Sequence, residues 1–236
     1  MPTNYHATIL SKDSTSIQEY LPMYKEYRLE GLKRHPDAFA TCYRCESMRT
    51  RHQLESMLSH PSVQVVLCTP KPADSLNRAW TAEWAAMMQL HGPSFANSPE
   101  GAVEDALDMS WCISGGYIRP NHRGSACILR GLEHTMRRVV QQLTEEYLRQ
   151  SQVRKIDVAR ARLQLWVVAD SGSLLSHYEM MGFTPVQDIK GEDLVEEYAS
   201  RFPTMRQLCC HNYIGREVVL MEMVMEFDEQ QLLSLD

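Results

Sequence analysis

Residues 119–125, Arg-Pro-Asn-His-Arg-Gly-Ser, place two arginines, a histidine, a glycine and a serine in one turn ahead of a long amphipathic stretch. A helix that starts there leaves its first backbone N–H groups without acceptors and carries about half a positive charge at that end. Glycine and small residues let a ligand approach such a backbone closely. Arg123, Gly124, Ser125 and Ala126 therefore have the makings of an anion cradle, of the kind that holds phosphates where a strand runs into a helix. The helix dipole alone contributes roughly 0.3–2 kcal/mol, so the N–H donors and Arg123 must supply the rest. By itself Pro-Asn-x-x-Gly is also, and more simply, an ordinary helix-starting turn.

Other residue types in the chain could do different chemistry. Cys42-x-x-Cys45 and Cys209-Cys210 with His211 beside them are thiol pairs of the sort that bind zinc. A zinc site needs four convergent ligands, and no metal is expected here. Cys112 and Cys127 could act as nucleophiles, although small buried thiols are the commoner use of such residues.

The elements that must position these groups can be read from the pattern. Residues 5–10 read as a strand, and a helix follows from Ser14, with Ser14 or Ser16 as its cap. Ile17, Tyr20, Leu21, Tyr24 and Tyr27 form one face of that helix. It ends before Pro36, which disfavours helical geometry at His35. Residues 45–59 predict a second helix stopped by Pro61. Strands are predicted at 62–69 and 79–90, separated by a hairpin-like loop at 70–77, with a further loop at 92–102. The strand at 108–118 is expected to place Trp111, Ile113 and Tyr117 on one side and Cys112, Ser114 and Ile118 on the other.

After the arginine turn, Leu129, Leu132, Met136, Val139, Val140, Leu143 and Tyr147 recur at steps of three and four, a strong helical signal. A strand at 161–170, a short helix at 171–183 ended by Gly182, and a strand at 216–227 complete the chain. The order of elements predicts an α/β domain with a mixed sheet.

Composition bounds the rest. At 236 residues, 44% hydrophobic and 23% charged, the chain is ordinary for one large domain with its own core. The formal charge of −6 argues against a nucleic-acid partner, which calls for a basic face. Seven cysteines, an odd number, suit a reducing compartment. The first residues lack the charged start and apolar run of a signal peptide, and no stretch approaches 18 consecutive apolar residues. The expectation is a cytoplasmic location with no membrane partner.

The order strand, "YIRPNHRGSA", long helix, strand, "ADSGSLLSHYEMMGF", strand resembles the GNAT superfamily of acyl-CoA-dependent N-acyltransferases. The first segment is similar to the family's Arg/Gln-x-x-Gly-x-Gly/Ala loop. In the second, Tyr178, Gly182 and Phe183 fall at the spacing of its Asn-x-x-Ala-x-x-Leu-Tyr-x-x-x-Gly-Phe motif. "YRLEGLKRHPDAFA" and "AEWAAMMQLHGP" resemble the family's first helix with its loop and its third strand, so the likeness spans residues 5–227. Ala126 and Ile128 depart from the small residues usual in the loop, and Ser171, Leu174 and His177 from those of the second motif. Ser171 remains able to cap its helix.

What the resemblance implies is a GNAT fold: an α/β domain over 1–236 with a central, mostly antiparallel twisted sheet of about seven strands flanked by helices. It implies acetyl-CoA, or another acyl-CoA, as co-substrate. The backbone at Tyr117 and Ile118 would pair with the pantetheine arm as an added strand does. The N–H groups of Gly124, Ser125, Ala126, Cys127 and Ile128, with Arg123 beside them and Ser171 at the second helix, would hold the rest. Tyr178 would protonate the leaving thiolate, the alternative being a core tyrosine on a buried helix face. No carboxylate lies between Met109 and Ile118, which leaves Asp108 and Glu83 as candidate general bases, each also readable as an ordinary surface or strand-end charge; a water chain or a less basic amine would remove the need for one. The expected reaction is transfer of acetyl to a primary amine of a small molecule by direct attack. Alternatives are a protein or peptide amine, or a GNAT-fold binding protein that has lost acyl transfer. A monomer or homodimer is expected. The connection at 187–215 is long for a hairpin. Leu194, Val195, Tyr198 and Phe202 could form one helical face, and the connection is expected either to lid the acceptor site or to be a surface hairpin or dimer contact.

Overall fold

The computed structural model describes residues 5–70, 83–95, 106–151, 158–194 and 211–228. Seven strands form one sheet in the order β1-β2-β3-β4-β5-β7-β6. They are β1 (Tyr5–Ile9), β2 (Val63–Pro70), β3 (Ala86–Phe95), β4 (Ala106–Ile118), β5 (Val158–Val168), β6 (Thr184–Lys190) and β7 (Glu217–Asp228). Every neighbouring pair is antiparallel except β4 and β5. The mixed, mostly antiparallel seven-stranded sheet is the one expected.

Helices cover both faces. On one lies α4 (Ala126–Ser151), whose Ile128, Leu132, Met136, Val139 and Val140 are buried against β2, β3, β4, β5 and β7. Each such side chain contributes roughly 1.5–3 kcal/mol by leaving water, so this one amphipathic face anchors the sheet. The short α5 (Gly172–Met180) lies on the same side through Leu174, Leu175 and Tyr178. The opposite face carries α1 (Ser14–Arg34), α2 (Tyr43–Ser47) and α3 (Arg51–Leu58). There Tyr20, Tyr24, Tyr27 and Leu32 of α1 meet Val65, Leu67, Met87 and Tyr117 of the sheet.

Local chemistry shifts several boundaries. The cap of α1 is Asp13, not Ser14 or Ser16: its carboxylate accepts from the Ser16 N–H at 2.8 Å. The helix expected at 45–59 is two helices, because Thr50 and Gln53 form a reciprocal capping box that starts α3 afresh. The third strand begins at Ala86 and runs through Gly92-Pro93-Ser94-Phe95, part of the loop expected at 92–102. Of the loop expected at 70–77, Pro70 closes β2 and residues 71–77 lie outside the described residues.

The face assignment of β4 also changes. Between Tyr117↔Met87 and Ser114↔Gln89 the strand carries one residue more than its partner, a bulge at Gly115-Gly116. Gly115 sits at φ +63°, in the left-handed region, and a Cβ there would drive into the Arg28 guanidinium. The extra residue inverts the alternation. Trp111 and Ile113 share a side, that of α4, whereas Tyr117, expected with them, faces α1 and Ile118 packs toward α4.

Polar groups are buried beneath the bulge on the α1 side. Arg28 pairs with Glu46 of α2 at 3.6 Å, and Arg49 pairs with the same carboxylate at 3.3 Å. His91 Nε2 and Ser114 Oγ lie 2.9 Å apart. Burial, reinforced by Arg28, Arg49 and His60, pulls the His91 imidazole down to about 3 from 6.5.

Two predictions follow from this frame. Gly115→Ala is expected to cost at least ~2 kcal/mol, by left-handed strain and overpacking against Arg28. Gly131→Ala, in mid-α4 with only ordinary contact to Ala7, is expected to gain about 0.5–1 kcal/mol. Urea denaturation of both variants checks the contrast. For His91, the unfolded imidazole binds a proton below 6.5 that the folded one refuses until about 3. Its contribution to stability is therefore complete above 6.5 and is lost as pH falls toward 3, at up to about 1.4 kcal/mol per pH unit. His91→Gln is expected to flatten this part of the stability profile, read by denaturation at pH 7 and pH 5.

Candidate functional site

The parallel pairing of β4 and β5 runs from Ala106↔Val158 to Cys112↔Gln164 and then stops. Above that point β4 stays with β3 as far as Ile118, and β5 stays with β7 as far as Val168. The two strands part, and each runs into a helix, β4 into α4 and β5 into α5. An opening between two strands is thus bordered by two helix N-termini.

On the β4 side, Arg119 N–H donates to the Ala85 carbonyl at 3.0 Å. By strand alternation the polar groups of Tyr117 and Arg119 turn to β3, and those of Ile118 turn to the opening. Of Tyr117 and Ile118, only Ile118 turns its peptide groups away from β3. The Tyr117 carbonyl accepts from the Tyr27 hydroxyl at 3.0 Å instead.

The turn forms as its residue types imply. Pro120–His122 make a single 3-10 turn, and Gly124 takes φ +77°, with open space where a Cβ would stand. Ile128 N–H donates to the Ser125 carbonyl at 3.1 Å, so Ile128 adds no donor to the cradle. Its side chain is fully buried in the α4-side core and leaves the cradle unobstructed. The N–H groups of Gly124, Ser125, Ala126 and Cys127 have no acceptor among the described residues. The Arg123 side chain is not aimed at these groups. Its Nε donates to the Ile118 carbonyl at 3.1 Å, and Nη2 donates to His35 Nε2 at 2.6 Å.

Tyr178 reaches in from α5. Its ring meets Phe183 edge-on at 5.8 Å, and a Cβ built on Gly116 would lie 3.3 Å from its hydroxyl. Gly116 therefore keeps the space beside that hydroxyl clear. Burial pushes the Tyr178 phenol above its ordinary 10.0. Ser171 stands at the N-cap of α5 without a side-chain cap bond; its carbonyl accepts from Leu174 and Leu175.

The bases expected from sequence are elsewhere. Asp108 binds Arg162 at 3.0 Å, and Arg162 also binds Glu222 at 2.9 Å. It lies eight residues down β4 from Gly116, roughly 26 Å at strand spacing, which removes it from the site. Glu83 accepts from or pairs with His122 Nε2 at 3.2 Å, and His122 Nδ1 meets the Tyr5 hydroxyl at 3.1 Å, a latch between the turn and β1. Residues not anticipated are Tyr27, Arg28, Glu30, His35 and His91. Glu30 accepts from the Tyr117 hydroxyl at 3.2 Å and from Arg119 Nε at 3.0 Å. Burial, with Arg123 and Arg34 nearby, lowers the His35 imidazole below 6.5. Only the tyrosine periodicity of α1 hinted at this face.

The β6–β7 connection is tied to the loop after α1. Asn212 Nδ2 donates to the carbonyls of Pro36, Phe39 and Thr41 at 2.9, 3.0 and 3.1 Å. Arg216 donates to the Asp37 carbonyl at 3.2 Å. Leu194 and Tyr213 are buried with Cys112, Val168 and Val218. Val195, Tyr198 and Phe202 lie outside the described residues. Among the described residues no group of three or more His, Cys, Asp or Glu is placed to hold a metal ion. Nor is any helix among them long and apolar enough to cross a membrane.

No protein-family model matches this chain, and no curated protein does. Solved structures are similar to it. NAA60 of Arabidopsis thaliana, in complex with acetyl-CoA, superposes with a TM-score of 0.50 at 11% identity, covering 94% of this chain and 99% of that one. Spermidine N-acetyltransferase of Vibrio cholerae, in complex with CoA and spermine, gives 0.45 at 10% identity, covering 93% and 95%. A probable acetyltransferase of Staphylococcus epidermidis gives 0.45 at 12% identity, covering 94% and 99%. At such identity the likeness is one of architecture: a seven-stranded mixed sheet between two helical layers, the GNAT acetyltransferase fold.

Proposed function

We propose that this chain is an acyl-CoA-dependent N-acyltransferase that moves an acetyl group from acetyl-CoA to the primary amine of a small molecule. The observation that carries this reading is the opening between β4 and β5, with helix starts on both sides and the Tyr178 hydroxyl beside Gly116.

The residues present fit such a co-substrate. Ile118 turns its N–H to the opening, where an extended amide-bearing arm would pair with it as an added strand does. Four N–H groups from Gly124 to Cys127, above open space at Gly124, suit a diphosphate. Arg123, now on the Ile118 carbonyl and His35, adds a positive charge within reach of the same turn. Bound there, acetyl-CoA supplies the activated acyl group as a thioester.

The chain's own residues would then orient the reactants and handle protons. Tyr178, its pKa raised by burial, stays protonated through the physiological range and so serves as a proton donor. A phenol is well matched in basicity to a departing thiolate. On the amine's side no free carboxylate faces the bulge among the described residues; Glu46 is held by Arg28 and Arg49. His91, behind Ser114, is neutral and too weak a base to take an amine proton.

This last arrangement favours a second reading, a peptide or protein α-amine as acceptor. A lysine-like amine with a pKa of about 10.4 costs about 4.6 kcal/mol to deprotonate at pH 7, whereas an α-amine near 7.7–8.0 costs roughly 1–1.4. The Asn212 clamp between the loop after α1 and the β6–β7 connection would set the width of the acceptor entrance in either case.

Calorimetric titration with acetyl-CoA tests the reading, with thiol release on addition of amines as the readout of turnover. The expected result is micromolar binding that Arg123→Glu weakens about tenfold or more, a loss of at least ~1.4 kcal/mol. Tyr178→Phe should bind normally while kcat falls by roughly 10²–10⁴. Folded protein that binds neither acetyl-CoA nor CoA would sink the proposal, and binding without turnover for any small amine or peptide would point to a fold that has lost transfer.

A further inference from the structure

Cys42 and Cys45 take no part in the site described above, yet the fold brings their sulfurs together. Cys42 is the N-cap of α2, and its Sγ accepts from the Cys45 backbone N–H at 3.3 Å. The two Sγ atoms lie 3.1 Å apart. Both residues are partly exposed, whereas Cys68 and Cys112 are buried and Cys127 is exposed at the start of α4. The Cys45 N–H and thiol, with further backbone N–H groups of the turn, hold the Cys42 thiol below its ordinary range.

We propose that Cys42 and Cys45 form a thiol–disulfide exchange site, a dithiol that low-molecular-weight disulfides of the glutathione type oxidise to an intrachain disulfide. The Cys42 thiolate attacks one sulfur of the glutathione disulfide, forming a mixed disulfide and releasing one glutathione thiolate. The Cys45 thiol then loses its proton to solvent and attacks the Cys42 sulfur, releasing the second glutathione. The protein gives up two electrons and two protons, and glutathione disulfide becomes two glutathione thiols. The order of attack follows from the geometry: the capping sulfur accepts from the Cys45 N–H, and the sulfur three residues on is in contact with it.

The bond would have a defined structural effect. It would replace the hydrogen bonds at the start of α2 by a covalent closure, one residue before Glu46, whose buried carboxylate holds Arg28 against the β4 bulge. It would also fix the end of the loop that Asn212 clamps through the Thr41 carbonyl.

Arg44 lies between the two cysteines, so trypsin converts the disulfide into two linked peptides, 35–44 and 45–49. The reduced, folded full-length protein is incubated with oxidised glutathione, its remaining thiols are blocked after denaturation, and the digest is mapped by mass spectrometry. The linked pair is expected, together with a simple glutathione adduct on exposed Cys127 and blocked thiols at Cys68 and Cys112. In Cys45→Ser, which lacks the resolving thiol but keeps the capping sulfur and backbone donor, the glutathione adduct on Cys42 should accumulate about tenfold or more above wild type. Recovery of Cys42 and Cys45 as free thiols, or as two separate glutathione adducts, under conditions that modify Cys127 would overturn the proposal. So would an equal level of Cys42 adduct in wild type and variant.

Discussion

The molecule turns on the point where β4 leaves β5. Below Cys112 and Gln164 the two strands share an ordinary parallel ladder, and above them each keeps its outer partner and abandons the other. An inserted residue lies three positions beyond that point, in the ladder with β3. At Gly115 the bulge takes a left-handed backbone and a Cβ would drive into the Arg28 guanidinium, so glycine is required there, while at Gly116 a Cβ would crowd the Tyr178 hydroxyl at 3.3 Å. Everything at the site is referred to that parting: which peptide groups face the opening, where the starts of α4 and α5 lie, and how Tyr178 comes to stand beside Gly116.

The two faces of the sheet serve this opening differently. The α4 face is apolar almost throughout, with methionines of β7 and aliphatic residues of β5 packed against one helix, and it supplies cohesion. The α1 face is stabilised less cheaply. Arg28 Nε and Nη1 are buried without hydrogen-bond partners among the described residues, a cost of about 1–3 kcal/mol for each such group. The Glu46 carboxylate at 3.6 Å and the Phe39 ring at 5.6 Å offset part of it. A buried ion pair of this kind is a weak source of stability, but here it braces the bulge from behind.

Much of this was legible in the residue pattern, and the omissions have physical reasons. The stripe from Leu129 to Val140 announced α4, and the strand–turn–helix order located the cradle, because periodicity and helix-start chemistry are local. The spacing of Tyr178, Gly182 and Phe183 marked α5. Period-two reasoning failed at Tyr117, since a single inserted residue leaves composition and hydrophobicity unchanged while it inverts every later side chain. The pairing of Asp108 could not be read from the chain, because its partner Arg162 lies 54 residues away. Arg28, Glu30 and His91 were invisible for the same reason, each defined by a partner on another element. The thiol pair at 42 and 45 could be seen as a spacing, but only the fold shows the sulfurs in contact.

The inverted alternation of β4 bears on how such a chain can change over time. Removing one residue between Ser114 and Tyr117 would restore the regular pleat, sending the Tyr117 phenol toward the apolar α4 layer and Ile118 among the polar groups of α1. Inserting a second residue would do comparable harm to register. Insertions and deletions are therefore excluded from this segment far more strictly than exchanges of side chain, and the length of the strand is under tighter constraint than its composition.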